Sequence, residues 1–509
     1  MEVLDVDTLV CGGGMSGMAC AAFAAEAGAR TLVVEKQTEI GGSSSLSAGM
    51  LCVTSSSLIL DRYSLLTIRT RSWAPYAYDK LRSWVPDGDP TLQRAWLNEY
   101  LPAVQWMREN GIPTAKRFDG IMTIGIGFPI KIPELHKAHQ QRMAASKNGS
   151  IILTNTSVVK LTQENPGVPG SRVNGAIICE QKPGCTAVYY QVKAKLVVLA
   201  TGGFQGSPSM TAKYLGQGGD NIFVRSNKGS VGDGLNLAIA AGAGTSRGLN
   251  TFYGHLLAAP VRAGDVNPQD YLPLAQYQSK YCMLLNESGR RFADETMGDE
   301  IVNQYLAKQE KRRGFLLFNE KTRLRHCTGA LFPNAGDVDR LQKAREYGCH
   351  VAKASTLREL LEVLRSWGVD HVQAGNTIER YHQVVGQGQK NIFLDAPAGG
   401  VGAPPRPLVD GEGPFYAMEV QPSITFTYGG ISVDTQARAL THDQNIVPGL
   451  LVAGVDAGGF SNLGYAGGLA LAFVTGLWAA RSIARELGLV EPSLPPADSS
   501  DAAPLQSRL

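Results

Sequence analysis

The sequence predicts an α/β fold organised on a Rossmann-like dinucleotide-binding unit, with a second domain set into the middle of the chain. Three observations predict it. Residues 6–36 read strand, glycine-rich turn, helix and strand. Two later stretches, 197–204 and 454–470, bring the chain through glycine-rich turns again. Between these, residues 245–415 are mixed and polar and alternate short strands with helices, such as 355–366.

The opening unit carries the strongest signal. Val6 to Cys11 is an apolar run, and Gly12, Gly14 and Gly17 then form G-x-G-x-x-G. Gly12 lets the chain turn out of the strand. Gly14, with Met15 and Ser16, lets the backbone approach a pyrophosphate at the helix start, where free N–H groups favour negative charge. Gly17 lets helix and strand pack closely. Met15 to Ala27 is an Ala-rich helix, and Gly28 stands where a helix commonly ends in a left-handed residue. A second run, Thr31 to Val34, ends in Glu35 and Lys36. A carboxylate there accepts hydrogen bonds from a ribose diol and repels a 2′-phosphate.

The chain has 509 residues, too long for one ordinary domain. Its 44% hydrophobic and 18% charged residues allow a large core, and 58 glycines fit many close backbone approaches. A net charge of +3 argues for neither nucleic acid nor an acidic partner. No apolar run of about 18 residues indicates a membrane span. The N-terminus enters the first strand at once, leaving no room for a signal peptide. Eight scattered cysteines without C-x-x-C read as an intracellular, reduced protein without zinc. Ser507-Arg508-Leu509 resembles the S-K-L peroxisomal address, on a Pro/Ser/Ala-rich tail (489–509) expected to be disordered. The expected compartment is peroxisomal in a eukaryote and cytoplasmic otherwise.

Residues 40–50, IGGSSSLSAGM, form a polar loop after the second strand, and its amides and hydroxyls suit a phosphate or a flavin. Gly42, Ser43, Ser44 and Gly49 are its candidates. Residues 52–71 show no clean period and read as an inserted loop or a misread segment. Residues 90–110 have core-facing helical spacing. Residues 134–147 form a basic helix whose His136 and His139 read as part of a solvated face rather than a metal site. Strands are expected at 150–160, with Val158 near the cofactor, and at 187–200. The latter runs into Ala200, Thr201 and Gly202. Gly232 and Asp233 open a helix. Gly454, Asp456, Gly468, Leu469 and Ala470 belong to a glycine-rich loop feeding a long apolar helix.

These residues in this order resemble a known family. VCGGGMSGMACA, VVEK, IGGSSSLSAG, LATGGF, GDGLNLA, GRRFADE and AGVDAGG…GGLALAFVTG are similar to the flavoproteins that include soluble fumarate reductases, 3-ketosteroid dehydrogenases and tricarballylate dehydrogenases. The resemblance implies a GR2-type FAD-binding domain (1–244 and 416–488) interrupted by an α+β substrate-capping domain (245–415). It implies FAD held non-covalently, since Ser43 to Ser45 stand where covalent members carry a His. No second strand–GxGxxG–helix unit follows, so no NAD(P)H domain is evident and the electron acceptor is unknown.

The chemistry implied is exchange of a hydride at one carbon and a proton at its neighbour, next to a carbonyl or carboxylate that holds the developing charge. Fumarate reductases carry a proton-donating Arg after the RFxxE run, where Gly298 stands here. Their His before Thr-x-Gly-Gly is Phe426, and a clamping Arg is Tyr465. These departures favour dehydrogenation, with a C=C reductase or an impaired flavin-binding protein as alternatives. Tyr465-Ala466-Gly467-Gly468 resembles the Tyr-x-Gly loop of ketosteroid dehydrogenases, which makes Tyr465 the first candidate to polarise a carbonyl. Tyr416 and Tyr428 follow as acid/base candidates. The competing reading of each is a core aromatic with a satisfied hydroxyl. His255 lies near a substrate His of the fumarate reductases. Arg291 is a candidate for binding a carboxylate, or else an ion-pair residue with Asp294 or Glu295.

Overall fold

Alternation and β-branched residues make Glu2–Cys11 a strand, and its last four residues, all apolar or small, are buried on both faces. In a computed structural model, which describes residues 1–53, 77–79, 81–82, 85–121, 125–262, 264–331, 336–386, 413–498 and 501, this strand is central to an eight-stranded sheet. It runs parallel to Thr31–Val34 on one side and Val188–Leu199 on the other. Ile151–Leu153 extends the first side, and Ile446–Val452 the second, both parallel. Arg438–Leu440 closes one edge, and an antiparallel hairpin, Thr156–Gln163 with Val173–Glu180, attaches to Val188–Leu199.

The helix Met15–Ala27 has no polar face, because it is covered all round. The helices Leu469–Glu486 and Ile132–Ala145 pack on it. Small residues allow this approach: a Cβ on Gly476 would lie 2.4 Å from the Ser16 carbonyl oxygen. Gly28 ends the helix at φ +112°.

A second, six-stranded sheet is built around Phe415–Ile424. This strand pairs with Phe223–Val224, Leu256–Ala258, Gly314–Asn319 and Val351–Ala354, while Met283–Asn286 pairs with Gly314–Asn319. Both faces are buried: Leu284, Leu316, Phe318 and Met418 point into one core, and Leu285, Phe315, Leu317 and Ala417 into another. A short antiparallel ladder pairs Phe252–Tyr253 with Phe426–Thr427, which follows Phe415–Ile424 in the chain.

Several expectations are corrected. The strand that starts at Phe415 belongs to the second sheet, so residues 416–424 are not part of the return to the first. Phe223–Val224, assigned to the first domain, also pairs there. Cys52 and Val53 belong to the strand Met50–Val53, paired with Gly125–Pro129; the rest of the expected insertion lies outside the described residues. His136 and His139 are buried, not solvated, and His139 stacks on Trp106. Their helix faces Met15–Ala27, and desolvation pushes His136 down to about 4. The tail is not loose over its described part. Arg481 donates to the Pro492 carbonyl, and Arg108 pairs with buried Asp501. Ser507 to Leu509 lie outside the described residues. Among the described residues no helix is long and apolar enough to cross a membrane.

Candidate active site

The two sheets and their loops enclose a cavity of about 1040 Å³. One half of its wall is the glycine-rich unit. Gly12 adopts φ +109°, and a Cβ there would lie 2.3 Å from the Ala200 carbonyl oxygen. At Gly17 a Cβ would lie 1.9 Å from the Gly12 carbonyl, so this glycine packs helix on strand and does not line the cavity. Gly14 has no atom within 4 Å of its Cβ position and opens onto the cavity. The first turn of Met15–Ala27 has no side-chain cap, which leaves N–H groups for an anion. The helix Leu469–Glu486 likewise starts uncapped, at Gly468 and Leu469 on the cavity wall.

Glu35 is pinned before any ligand arrives: its carboxylate accepts from the amides of Gly13 and Gln37, both at 2.8 Å. Each oxygen keeps a lone pair for a hydroxyl. Lys36 pairs with Asp233 at 2.6 Å. The Ser43 hydroxyl accepts from the Asn227 amide, and Ser44 donates to the Gly41 carbonyl and meets His136 Nε2 at 2.9 Å. Met15, Ser16, Gly42, Val158, Ala200, Thr201, Gly202 and Gly454 also line the cavity.

Gly49, Gly232, Asp456 and Ala470 do not. Gly49 ties its loop to Ile130, Gly232 caps a helix at φ +83°, and Ala470 packs in the core. Asp456 sits behind the wall, accepting from the amide and hydroxyl of Thr201. Burial pushes its carboxyl up to about 7.

The other half of the wall holds a buried acid/base group. Asp299 Oδ2 lies 2.5 Å from His255 Nδ1, and both side chains are buried. A carboxylate only accepts, so Nδ1 carries the proton and Nε2 accepts. The Tyr253 hydroxyl donates to Nε2 at 3.0 Å, and Tyr277 lies at 3.4 Å. The histidine is fixed from behind, where Ser423 donates to its carbonyl at 2.6 Å. Burial lowers the His255 pKa, and Asp299 opposes that shift. Tyr253 stacks on Tyr465 at 4.3 Å, and Phe426 packs against both. Burial raises the pKa of Tyr253 and Tyr465 well above 10.

The other catalytic candidates fall outside this wall. Tyr428 lies in the aromatic cluster behind Tyr465, and its hydroxyl has no partner among the described residues. Tyr416 is in the core of the second sheet, where its hydroxyl donates to Glu320 at 2.5 Å. Arg291 pairs with Glu295 and lies over the Tyr381 ring. Neither Tyr416 nor Arg291 reaches the cavity. Sequence reasoning missed Tyr253, Tyr277 and Asp299. One signal was available for the first: Tyr253 and His255 are two apart in an extended stretch, so they share a side.

The FAD-binding domain family model matches residues 7–471. The chain belongs to that family. The uncapped helix starts, the open face of Gly14 and the pinned Glu35 fit the pyrophosphate and ribose of FAD, which this flavoprotein binds. A cytochrome-type fumarate reductase of Shewanella frigidimarina is 25% identical over 92% of this chain and 74% of its own length. A urocanate reductase of Eggerthella lenta is 27% identical over 89% of this chain and 70% of its own. The 3-ketosteroid Δ1-dehydrogenase structure from Sterolibacterium denitrificans, in complex with 1,4-androstadiene-3,17-dione, superposes with a TM-score of 0.68. It has 18% identity and covers 95% of this chain and all of that one, which shows a shared fold. The flavoprotein is an FAD-dependent oxidoreductase of the group acting on CH–CH bonds.

Proposed function

We propose that this flavoprotein reduces a carbon–carbon double bond conjugated to a carbonyl or carboxylate, and that Tyr253 gives the proton. The observation that carries this reading is the Tyr253 hydroxyl on the buried His255–Asp299 pair, in the same cavity as the nucleotide loops. FAD, when bound, exchanges the hydride. The chain's own residues do the rest. Tyr465 holds the substrate carbonyl or carboxylate oxygen with its hydroxyl, so negative charge develops against a donor. Tyr253 releases its proton to the neighbouring carbon, and its phenolate is reprotonated from solvent by way of His255 Nε2, which Asp299 holds in place from Nδ1.

Direction follows from protonation. A dehydrogenase needs a base here, and a tyrosine serves as one only when its pKa falls. Burial raises Tyr253 and Tyr465 instead, which keeps both hydroxyls protonated in the resting site, the form a base could not use and a donor starts from. The kinship with fumarate and urocanate reductases supports the same direction. This outweighs the preference for dehydrogenation drawn from the missing arginine at Gly298. A second reading, dehydrogenation of a ketone, is favoured by the Tyr465-Ala466-Gly467-Gly468 loop. We further propose that FAD is held non-covalently and that electrons arrive from an external donor.

The test is anaerobic. Protein with photoreduced flavin should be reoxidised by one or more of fumarate, urocanate and androstadienedione. Tyr253→Phe should slow that step by about 10²- to 10⁴-fold with flavin still bound. If only oxidised protein reacts, bleached by a saturated ketone or acid, the proposed direction is wrong.

A further inference from the structure

The cavity wall away from the glycine-rich unit carries charges that the redox chemistry does not use. Arg225, Lys280, Arg325 and Arg340 line it, against the carboxylates of Asp299 and Glu300. Two of these cations are unusual. Arg340 is 2% exposed, and its Nε has no hydrogen-bond partner. Arg225 has buried Nε and Nη1 atoms that are equally unpartnered. Neither guanidinium forms an ion pair among the described residues.

The acids near Arg340 spend their hydrogen bonds on other partners. Asp339 caps its own helix, accepting from the amides of Leu341 and Gln342 at 3.0 Å. Asp299 is held by His255. Both arginines come from rigid elements. Arg340 begins the helix Arg340–Glu346, and its amide donates to the Cys327 carbonyl. Arg225 follows the strand Phe223–Val224, and its amide donates to the Ile424 carbonyl at 2.9 Å. Both guanidinium groups are close enough to Tyr277 to stabilise its phenolate. Both line the same cavity as Tyr277, whose hydroxyl lies 3.4 Å from His255 Nε2.

Asp299 and Asp339 still act on Arg340 through their charge, but the buried N–H groups of both arginines lack acceptors, and leaving such donors unfilled costs free energy that a ligand oxygen would recover. We propose that Arg225 and Arg340 form the seat for a carboxylate of the substrate, so that the site takes planar, unsaturated carboxylic acids and disfavours their neutral counterparts. Beside this seat, the Tyr253, Phe426 and Tyr465 rings give the flat body of the ligand an aromatic surface. The inference rests on the proposed reduction only for the unsaturation of the ligand. The carboxylate preference stands on the two arginines.

The experiment titrates oxidised, FAD-loaded protein with cinnamate, with its neutral isostere cinnamamide and with sulfate. Binding is followed by perturbation of the flavin spectrum and by calorimetry. Cinnamate should bind at least ten times more tightly than cinnamamide, and sulfate more weakly than cinnamate. Arg340→Met and Arg225→Gln should each weaken cinnamate by about 10- to 100-fold and leave cinnamamide unchanged. Without ligand, Arg340→Met should melt no lower than the parent, since it removes a desolvated guanidinium whose buried N–H has no acceptor. Arg340→Lys, which keeps the charge and loses the fork, should fold and still bind cinnamate less tightly.

Equal affinity for cinnamate and cinnamamide overturns the proposal. So does a ligand-free Arg340→Met protein that melts well below the parent, because the arginine would then be structural. Sulfate binding as tightly as cinnamate overturns the carboxylate preference, and loss of flavin from Arg225→Gln reassigns that residue to the cofactor. The two readings fail separately. Discrimination for cinnamate without any turnover leaves the seat standing and removes the reductase. Turnover of neutral enones without discrimination does the reverse.

Discussion

His255 shows how one side chain acquires a task from its neighbours. Asp299 at Nδ1 sets the tautomer, and two tyrosine hydroxyls then have only Nε2 to address. Asp299→Asn presents an amide that can donate to Nδ1 and reverse the tautomer. It should lower turnover by about 10²-fold or more with little change in flavin content, read by single-turnover flavin reoxidation. Asp456 gives a different residue-scale prediction. Its carboxyl is held up to about 7, against an ordinary 3.8, by burial. Between these values the folded protein keeps a proton that the unfolded chain has released. The stability this group contributes is complete below about pH 4 and is lost as pH rises towards about 7. Urea melts of Asp456→Asn should therefore lose less stability than the parent over that interval.

At the scale of the element, the helix Met15–Ala27 was legible from its glycines and alanines, and those residues also explain its packing. Its neighbour Leu469–Glu486 approaches through Gly476, whose Cβ position lies 3.1 Å from the Ala19 methyl and 2.4 Å from the Ser16 carbonyl. Gly476→Leu should cost about 1–3 kcal/mol or more, measured by denaturant melts. It should also weaken FAD binding, because displacing Ser16 disturbs the pyrophosphate turn. The helix Ile132–Ala145 was legible as a helix but not as a buried one. Its charged residues gave it a solvated appearance, yet Leu135, His136, His139 and Met143 form a buried stripe. A histidine stacked on tryptophan behaves there as an aromatic, and periodicity counts it as polar.

For the whole molecule, the long strand Phe415–Ile424 is the spine of the second sheet, paired along both edges and buried on both faces. Met418→Ala should destabilise the protein by about 2–5 kcal/mol, checked by calorimetry. The cavity between the sheets couples stability to cofactor. FAD at 100 times its Kd should raise the stability of stripped protein by about 2.7 kcal/mol. Acid precipitation should release all the flavin into the supernatant if attachment is non-covalent.

The amino-acid sequence alone determined the nucleotide half of the site. Gly12, Gly14, Gly17 and Glu35 act through local backbone geometry over some 30 contiguous residues, and local geometry is written in local sequence. Tyr465 and His255 were legible as residues of the cavity wall, through resemblance to a family. Only the tertiary structure decided which polar residues join them. Tyr277, Asp299, Arg225 and Arg340 come from separate stretches of the chain, and no spacing rule links them; Tyr253 alone left a trace, two residues from His255. The same long-range packing took Tyr416 into a core and Arg291 into an ion pair with Glu295. A side chain's chemistry depends on its dielectric surroundings and its partners. Those are set by segments tens to hundreds of residues away, so they appear only once the chain has folded.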